Sequence, residues 1–261
     1  MDTELVRRGL VDTRARAAAA IAAGQVHVRG APAATASRQV APDEPITLRA
    51  DGPRFVSRGG EKLAGALDAF ALDVSGRRCL DAGASTGGFT DCLLQRGAAH
   101  VVAVDVGRGQ LAWSLRNDER VTVLERTNVR DLDATLVGAP PTLSVADLSF
   151  VSLRSVAVAI DAVCTPDADH VWLVKPQFEV GRGKVGKRGV VREPAEHARA
   201  LREVVDALAD HGLGVRALTV SPLRGAEGNI EFFLHARRGP GTLPDGAVAE
   251  VVAAAHAGGD A

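Results

Sequence analysis

Arg77–Asp91 reads RRCLDAGASTGGFTD. A short apolar run, Cys79-Leu80, ends in Asp81. A glycine-rich turn follows (Gly83, Ala84, Ser85, Thr86, Gly87, Gly88), and the stretch from Phe89 to Leu94 has helical character. Strand, glycine turn and helix in that order open nucleotide-binding α/β domains. Glycine lets the backbone approach a ligand and tolerates positive φ, while the helix start offers free N–H groups. The glycines alone suit NAD, FAD or S-adenosylmethionine. Two carboxylates narrow the choice. Asp105 ends the next apolar run, His100-Val101-Val102-Ala103-Val104, where it would accept both hydroxyls of a ribose. Asp81, just ahead of the glycines, is placed to hold the amino end of a methionine, which NAD lacks. S-adenosylmethionine is therefore the expected cofactor.

Apolar runs alternate with helical patterns from Arg77 onward. Strands are expected at about 78–82, 100–105, 121–125, 142–147, 170–175, 214–220 and 229–235, and helices near 88–97, 110–117, 150–163 and 194–211. That alternation predicts an α/β fold with a mostly parallel seven-stranded sheet and right-handed crossovers. Ligands of such sheets bind beyond the carboxyl ends of the strands. Asp81, Asp105, Asp147 and Lys175 each sit where an apolar run stops, so all four are expected on one rim. The tail from Arg237 is rich in Gly and Pro and then in Ala, which predicts a loop and a short terminal helix.

Upstream the composition changes. Residues 1–50 form a small α+β module, residues 51–57 a linker punctuated by Gly52-Pro53, and residues 58–261 the α/β domain. In the module, Leu5-Val6, Leu10, Ala17 to Ala20 and Ile21 recur at helical spacing. Asp12 or Thr13 can cap the second helix and Gly24 can stop it. Gln25-Val26-His27-Val28 then alternates as a strand, and Ile46-Thr47-Leu48 forms a later one. Arg7, Arg8, Arg14 and Arg16 lie on the helical part, and residues 1–57 carry a net +2. On charge alone, an RNA-facing surface and a solvated helical face are equally good readings.

The whole chain has 261 residues, 46% of them hydrophobic, a net charge of −1 and a pI near 6.7, so a polyanion partner would have to engage local patches. The absence of Tyr argues against a base-stacking platform. Cys79, Cys92 and Cys164 each lie in apolar runs without a C-x-x-C pair, which fits buried reduced thiols and no metal site. No signal peptide and no apolar stretch of about 18 residues is present, so a cytoplasmic protein without a membrane partner, and a monomer, is expected.

Four residues carry the expected chemistry. Methyl transfer from a sulfonium is an in-line displacement, and alignment of the nucleophile can supply about 7–11 kcal/mol. A ribose hydroxyl would also need a base. Lys175, between the apolar run Leu173-Val174 and Pro176, is the candidate. Lys62, in a helix opening Ser57-Arg58-Gly59-Gly60-Glu61, would lower its pKa by like-charge repulsion, and Asp147 would orient it. Glu231 lies in an otherwise apolar strand and needs a buried partner, for which a lysine is suited. The acid-free stretch Gly181–Arg192 (GRGKVGKRGVVR) brings Arg182, Lys184, Lys187 and Arg188 directly after Lys175, as a grip on an RNA backbone.

Three resemblances carry the functional expectation further. Residues 2–50, with the layout RRGLVDTRARAAAAIAAGQVHVRGAPA, are similar to the S4 RNA-binding domain; Asp12-Thr13 stands where that family often has Ser before its arginine. Lys62, Asp147, Lys175 and Glu231 resemble the K-D-K-E tetrad of FtsJ-like ribose 2′-O-methyltransferases. The motifs SRGGEKL, LDAGASTGGFTD, AVDVGRGQLAWSLRND, ADLSFVSL, LVKPQFEVG and GNIEFF together resemble the hemolysin A (TlyA) family over nearly residues 2–235. The resemblance implies a Rossmann-like class I methyltransferase domain acting on the 2′-hydroxyl of cytidine in ribosomal RNA of the small or large subunit, or both. It implies cofactor contacts at Asp81, Gly83, Ala84, Ser85, Gly87, Asp105, Asn128, Asp147 and Phe150. It also implies RNA contacts at Arg7, Arg8, Arg14, Arg16 and Arg58. The missing Asp-Pro-Pro-Tyr/Phe motif disfavours an amine acceptor, and the missing Pro-Cys dipeptide disfavours covalent attack on a base. Competing readings are an S4-type assembly factor without essential methyl transfer, a membrane-lytic protein, and a dehydrogenase on the same fold.

Overall fold

The computed structural model describes residues 1–33, 35, 38–41, 43–48, 54–181, 186 and 189–257. The chain divides into two compact units, Met1–Arg54 and Phe55–Ala261. Of the stretch expected as a linker, residues 51–53 lie outside the described residues. Phe55 belongs to the second unit, where it is buried so close to Gly60 that a Cβ there would fall 2.2 Å from its ring. Val56 N–H donates to the Asp91 carboxylate at 2.8 Å.

The first unit begins with α1 (Asp2–Arg7) and α2 (Arg14–Ala22). Thr13 caps α2, its hydroxyl accepting from Arg16 N–H at 3.2 Å. Three short antiparallel strands follow: β1 (Val26–Val28) lies between β2 (Ala31–Pro32) and β3 (Ile46–Leu48). Leu5, Ala17, Ala20, Ile21, Val26 and Val28 form its core, because helical spacing and strand alternation direct both sets inward.

The second unit opens with α3 (Arg58–Ala69) and β4 (Arg78–Ala82), then α4 (Gly88–Gln95), β5 (His100–Asp105), the single turn α5 (Trp113–Arg116) and β6 (Val121–Glu125). It continues through α6 (Ala134–Val137), β7 (Leu143–Ala146), α7 (Ala157–Ala162), β8 (Asp169–Val174), α8 (Pro176–Glu179), α9 (Pro194–Asp210), β9 (Leu213–Val220), β10 (Phe232–Arg238) and α10 (Ala247–Ala257). The sheet order is β6-β5-β4-β7-β8-β10-β9, with β10 antiparallel to both neighbours and the other pairings parallel. Period-two alternation feeds two cores. Leu80, Val102, Ala146, Trp172 and Phe232 face one side with α7, α9 and α10; Cys79, Val101, Val145, Leu173 and Phe233 face the other with α3 and α4.

Three expectations change. The helix expected over 150–163 is a 3₁₀ turn at Leu153–Ser155 followed by the shorter α7, and the one expected over 110–117 is only the single turn α5. The last strand starts at Phe232, so Glu231 precedes it rather than lying within it. Because β10 runs against the sheet, Phe232 pairs with Val174 and its leading end lies at the rim where the parallel strands finish.

Phe233 is fully buried. We expect Phe233→Ala to cost about 3–5 kcal/mol of unfolding free energy in urea denaturation, and a loss below about 1 kcal/mol would contradict its place in this core.

Candidate functional site

The glycine turn is shaped by what passes close to it. Gly83 has φ +87°, and a Cβ there would lie 2.5 Å from the Asp147 carbonyl oxygen. The turn from β4 must therefore stay bare to slide past the loop after β7. Gly87, at φ +97°, makes room by its missing Cβ for Leu115, which packs α5 under the start of α4. Asp105 clamps the turn from the next strand, Oδ2 accepting from Ser85 N–H at 2.8 Å and Oδ1 from Gly107 N–H at 2.7 Å.

Two adjoining clefts open on the rim. The first, of about 410 Å³, is lined by Gly83, Ser85, Asp105, Asn128, Asp147 and Phe150, and also by Val106 and Ser149. The carboxamide oxygen of Asn128 is committed to Arg130 N–H at 3.0 Å. The second, of about 300 Å³, is lined by Arg58, Lys62, Ala84, Lys175, Arg224 and Gly225 among others. Gly83, Ser85, Asp147 and Ser149 belong to both walls. A donor held in one cleft and an acceptor in the other would meet across Asp147.

The four residues expected to act together reach this place as two ion pairs. Lys62 Nζ lies 2.5 Å from Glu231 Oε2, both side chains buried. Lys175 Nζ lies 2.6 Å from Asp147 Oδ1 and donates to Ser149 Oγ at 3.0 Å. The positive charge of Lys62 is thus answered by Glu231. Gly225 is required beside this pair, since a Cβ there would fall 2.0 Å from Glu231 Oε1. Sequence reasoning missed Ser149, Gly225 and the apolar wall residue Val106. Val106 is 67% exposed directly after Asp105, a signal visible only once the strand end is placed.

Asp81 is not on the rim. It lies inside β4, fully buried, and belongs to neither cleft wall. Thr90 donates to its Oδ2 at 2.6 Å, while Oδ1 has no partner. Burial pushes its carboxyl up to about 7, with the nearby Asp147 charge adding to the rise. The thiols of Cys79 and Cys164 are likewise pushed up to about 12 by burial, which makes them poor nucleophiles. Among the described residues no cluster of three or more His, Cys, Asp or Glu could hold a metal, and no helix is long and apolar enough to cross a membrane.

The arginines of the first unit are mostly paired. Arg7 and Arg8 bind Glu4, Arg14 binds Asp2, and Arg16 binds Asp12. Arg8 also donates to the carbonyls of Glu44 and Ala41, which makes it a brace within the unit. The guanidinium side chains of Arg7, Arg14 and Arg16 remain largely exposed. Arg58 lies on the second cleft and donates to the Arg224 carbonyl at 3.2 Å. Arg182, Lys184, Lys187 and Arg188 lie outside the described residues.

The sequence places this architecture among known proteins. The FtsJ-like methyltransferase family model matches residues 55–238. The 16S/23S rRNA (cytidine-2′-O)-methyltransferase TlyA of Mycobacterium tuberculosis is 55% identical over 241 residues, spanning 91% of this chain and 89% of that protein. Hemolysin A of Brachyspira hyodysenteriae is 37% identical, spanning 90% and 98%. The solved structure of a candidate hemolysin from Streptococcus thermophilus superposes with a TM-score of 0.79 at 38% identity, covering 98% of this chain and 94% of that one. The chain belongs to the TlyA (hemolysin A) family of FtsJ-like methyltransferases, and S-adenosylmethionine is its cofactor. The residues present suit that group: a bare glycine turn and an adjoining carboxylate at Asp105, both on the wall of the first cleft.

A raised carboxyl pKa means that the folded state holds a proton which the unfolded chain releases. The stabilising contribution of Asp81 is therefore complete below about pH 4 and is lost as pH rises toward about 7. Asp81→Asn should remove a stability slope of at most about 1.4 kcal/mol per pH unit across that window, read by denaturation at several pH values. Parallel curves for both proteins would contradict it.

Proposed function

We propose that this chain transfers a methyl group from S-adenosylmethionine to the 2′-hydroxyl of a cytidine in ribosomal RNA. The observation that carries the reading is Lys175 Nζ held between Asp147 and Ser149 on the wall common to the two clefts. The M. tuberculosis relative, by its name, acts on cytidine 2′-oxygens of 16S and 23S rRNA. The cofactor supplies an electrophilic methyl on a sulfonium, whose sulfur leaves as a neutral thioether. Lys175 in its amine form accepts the hydroxyl proton as the ribose oxygen bonds to the methyl carbon. The ammonium so formed is stabilised by Asp147, whose carboxylate is already in place and need not reorient. Lys62 is neutralised by Glu231 beside the acceptor cleft, whose wall also carries Arg58 and Arg224. Asp105 and Asn128 border the cofactor's nucleoside end, and Phe150, 92% exposed at the mouth of the first cleft, offers a flat face there.

The first unit supplies the RNA grip in this reading, as an S4-type module. Arg14 and Arg16 are the residues to test, since their ion pairs are solvent-exposed and worth little. Replacing both with Ala should weaken binding to ribosomal subunits and lower the dependence of log affinity on log salt concentration by up to about two units. Unchanged affinity and slope would remove that face from the interaction.

The deciding experiment offers labelled S-adenosylmethionine and separated ribosomal subunits to the wild-type chain and to Lys175→Ala. Label should enter RNA with wild type, resist base-specific release, and map to a cytidine ribose. Lys175→Ala should lose at least about 100-fold in turnover while binding the cofactor nearly as well. Cofactor binding without any label in either subunit would instead favour an assembly factor.

A further inference from the structure

Two loops carry the Lys175 ammonium and its partners. One follows β7 and holds Asp147, Ser149 and Phe150; the other follows β8 and becomes α8. The first has no regular structure between Asp147 and the turn at Leu153, and Phe150 within it sits at φ +64°, a conformation unfavourable for an aromatic residue. Such a loop keeps one shape only when contacts outside it over-determine that shape. The Phe150 ring meets Phe178 with centroids 5.2 Å apart, a contact too exposed to hold the loop alone.

The stronger tie is Glu179, one helical turn beyond Lys175 and only 4% exposed. Its Oε2 accepts from Ser152 Oγ at 2.5 Å and from Arg154 Nε at 3.2 Å, and its Oε1 accepts from Leu153 N–H at 2.8 Å. Arg154 also donates to the Glu179 carbonyl at 3.0 Å and reaches Glu203 of α9 at 3.1 Å. The two loops are therefore joined twice, by Lys175 at the cleft and by Glu179 behind it. They close a ring through Asp147, Ser149, the strained Phe150, Ser152, α8 and back to Lys175.

We propose that Glu179 is a positioning residue for the methyl-transfer site, resting on the reading of Lys175 given above. It acts through the 147–154 loop. It fixes where Asp147 and Ser149 hold the ammonium and how the same loop walls the cofactor cleft. Neither the K-D-K-E tetrad nor the glycine turn assigns it a role. A carboxylate is suited to the position because it accepts from a hydroxyl, a backbone N–H and a guanidinium at once. An amide of the same shape keeps one accepting oxygen and turns a donor toward groups that themselves donate.

The test uses the full chain with Glu179→Gln and Glu179→Asp, with cofactor affinity by calorimetry and turnover on ribosomal subunits measured separately. Glu179→Gln should lose about 10- to 100-fold in turnover at saturating substrates and about tenfold in cofactor affinity, the size expected when reacting groups shift by about 1 Å. The KM for RNA should stay near wild type, and Glu179→Asp, whose carboxylate is shorter by one methylene, should recover only part of the loss. A double-mutant cycle with Ser149→Ala separates positioning from general weakening: the combined variant should lose little more turnover than Glu179→Gln alone. Losses that multiply independently, losses that follow a parallel fall in thermal midpoint, or wild-type values for both readouts would overturn the proposal. A wild type that transfers no methyl to RNA, alongside weakened cofactor binding in Glu179→Gln, would sink the reaction assigned above and leave the positioning of the cofactor cleft standing.

Discussion

A lysine and a glutamate withdrawn from water must meet, and in this protein they meet across nearly the whole second unit. Lys62 belongs to its first helix and Glu231 introduces one of its last strands, 169 residues later. Leaving either ion buried alone would cost on the order of 3–5 kcal/mol. That cost constrains everything between them. The strand that follows the glutamate must run antiparallel so that its leading end reaches the rim. Gly225 must lack a side chain, and α3 must lie with Lys62 facing the sheet rather than solvent. The pair thereby fixes one wall of the second cleft, and the Asp147–Lys175 pair fixes the opposite part of the same rim.

What could be read from the residues follows from how local the cause was. Asp105, Asp147 and Lys175 stood at the ends of apolar runs, and strand ends are where a parallel sheet offers side chains to a ligand. Glu231 was conspicuous as an acid among Ile230, Phe232 and Phe233, although the direction of its strand was not encoded nearby. Asp81 falls inside the strand expected over 78–82, and its complete burial comes from β5 and β7 pairing on either side, which the local run Cys79-Leu80 does not encode. The helix expected from Phe150 failed for a non-local reason: Ser152 and Leu153 are taken up by a carboxylate from another strand's loop, which competes with local propensity. Gly87 was legible as a glycine of the turn, but the packing of Leu115 against it was not. The arginines of the first unit were visible by type, but the carboxylates that pair with each of them were not.

The glycine turn and the loop after β7 form one piece of architecture. The Gly83 backbone passes under the Asp147 carbonyl, and Asp147 in turn holds the ammonium of Lys175. A side chain at Gly83 would thus disturb the wall of the first cleft and the Asp147–Lys175 pair at the same moment, because the two share backbone atoms.

The order of the sheet has a consequence for biosynthesis. Among the described residues β9 pairs with no strand except β10, and β10 slots between β8 and β9 although it is made after both. While a ribosome is still translating residue 220, the emerging domain has an unfinished edge, and Lys62 has no counter-ion. Only when β10 has left the exit tunnel does the insertion complete the sheet and bring Glu231 to the rim. A nascent chain of this protein therefore stays without its completed sheet and without the Lys62–Glu231 pair until nearly the whole domain is made.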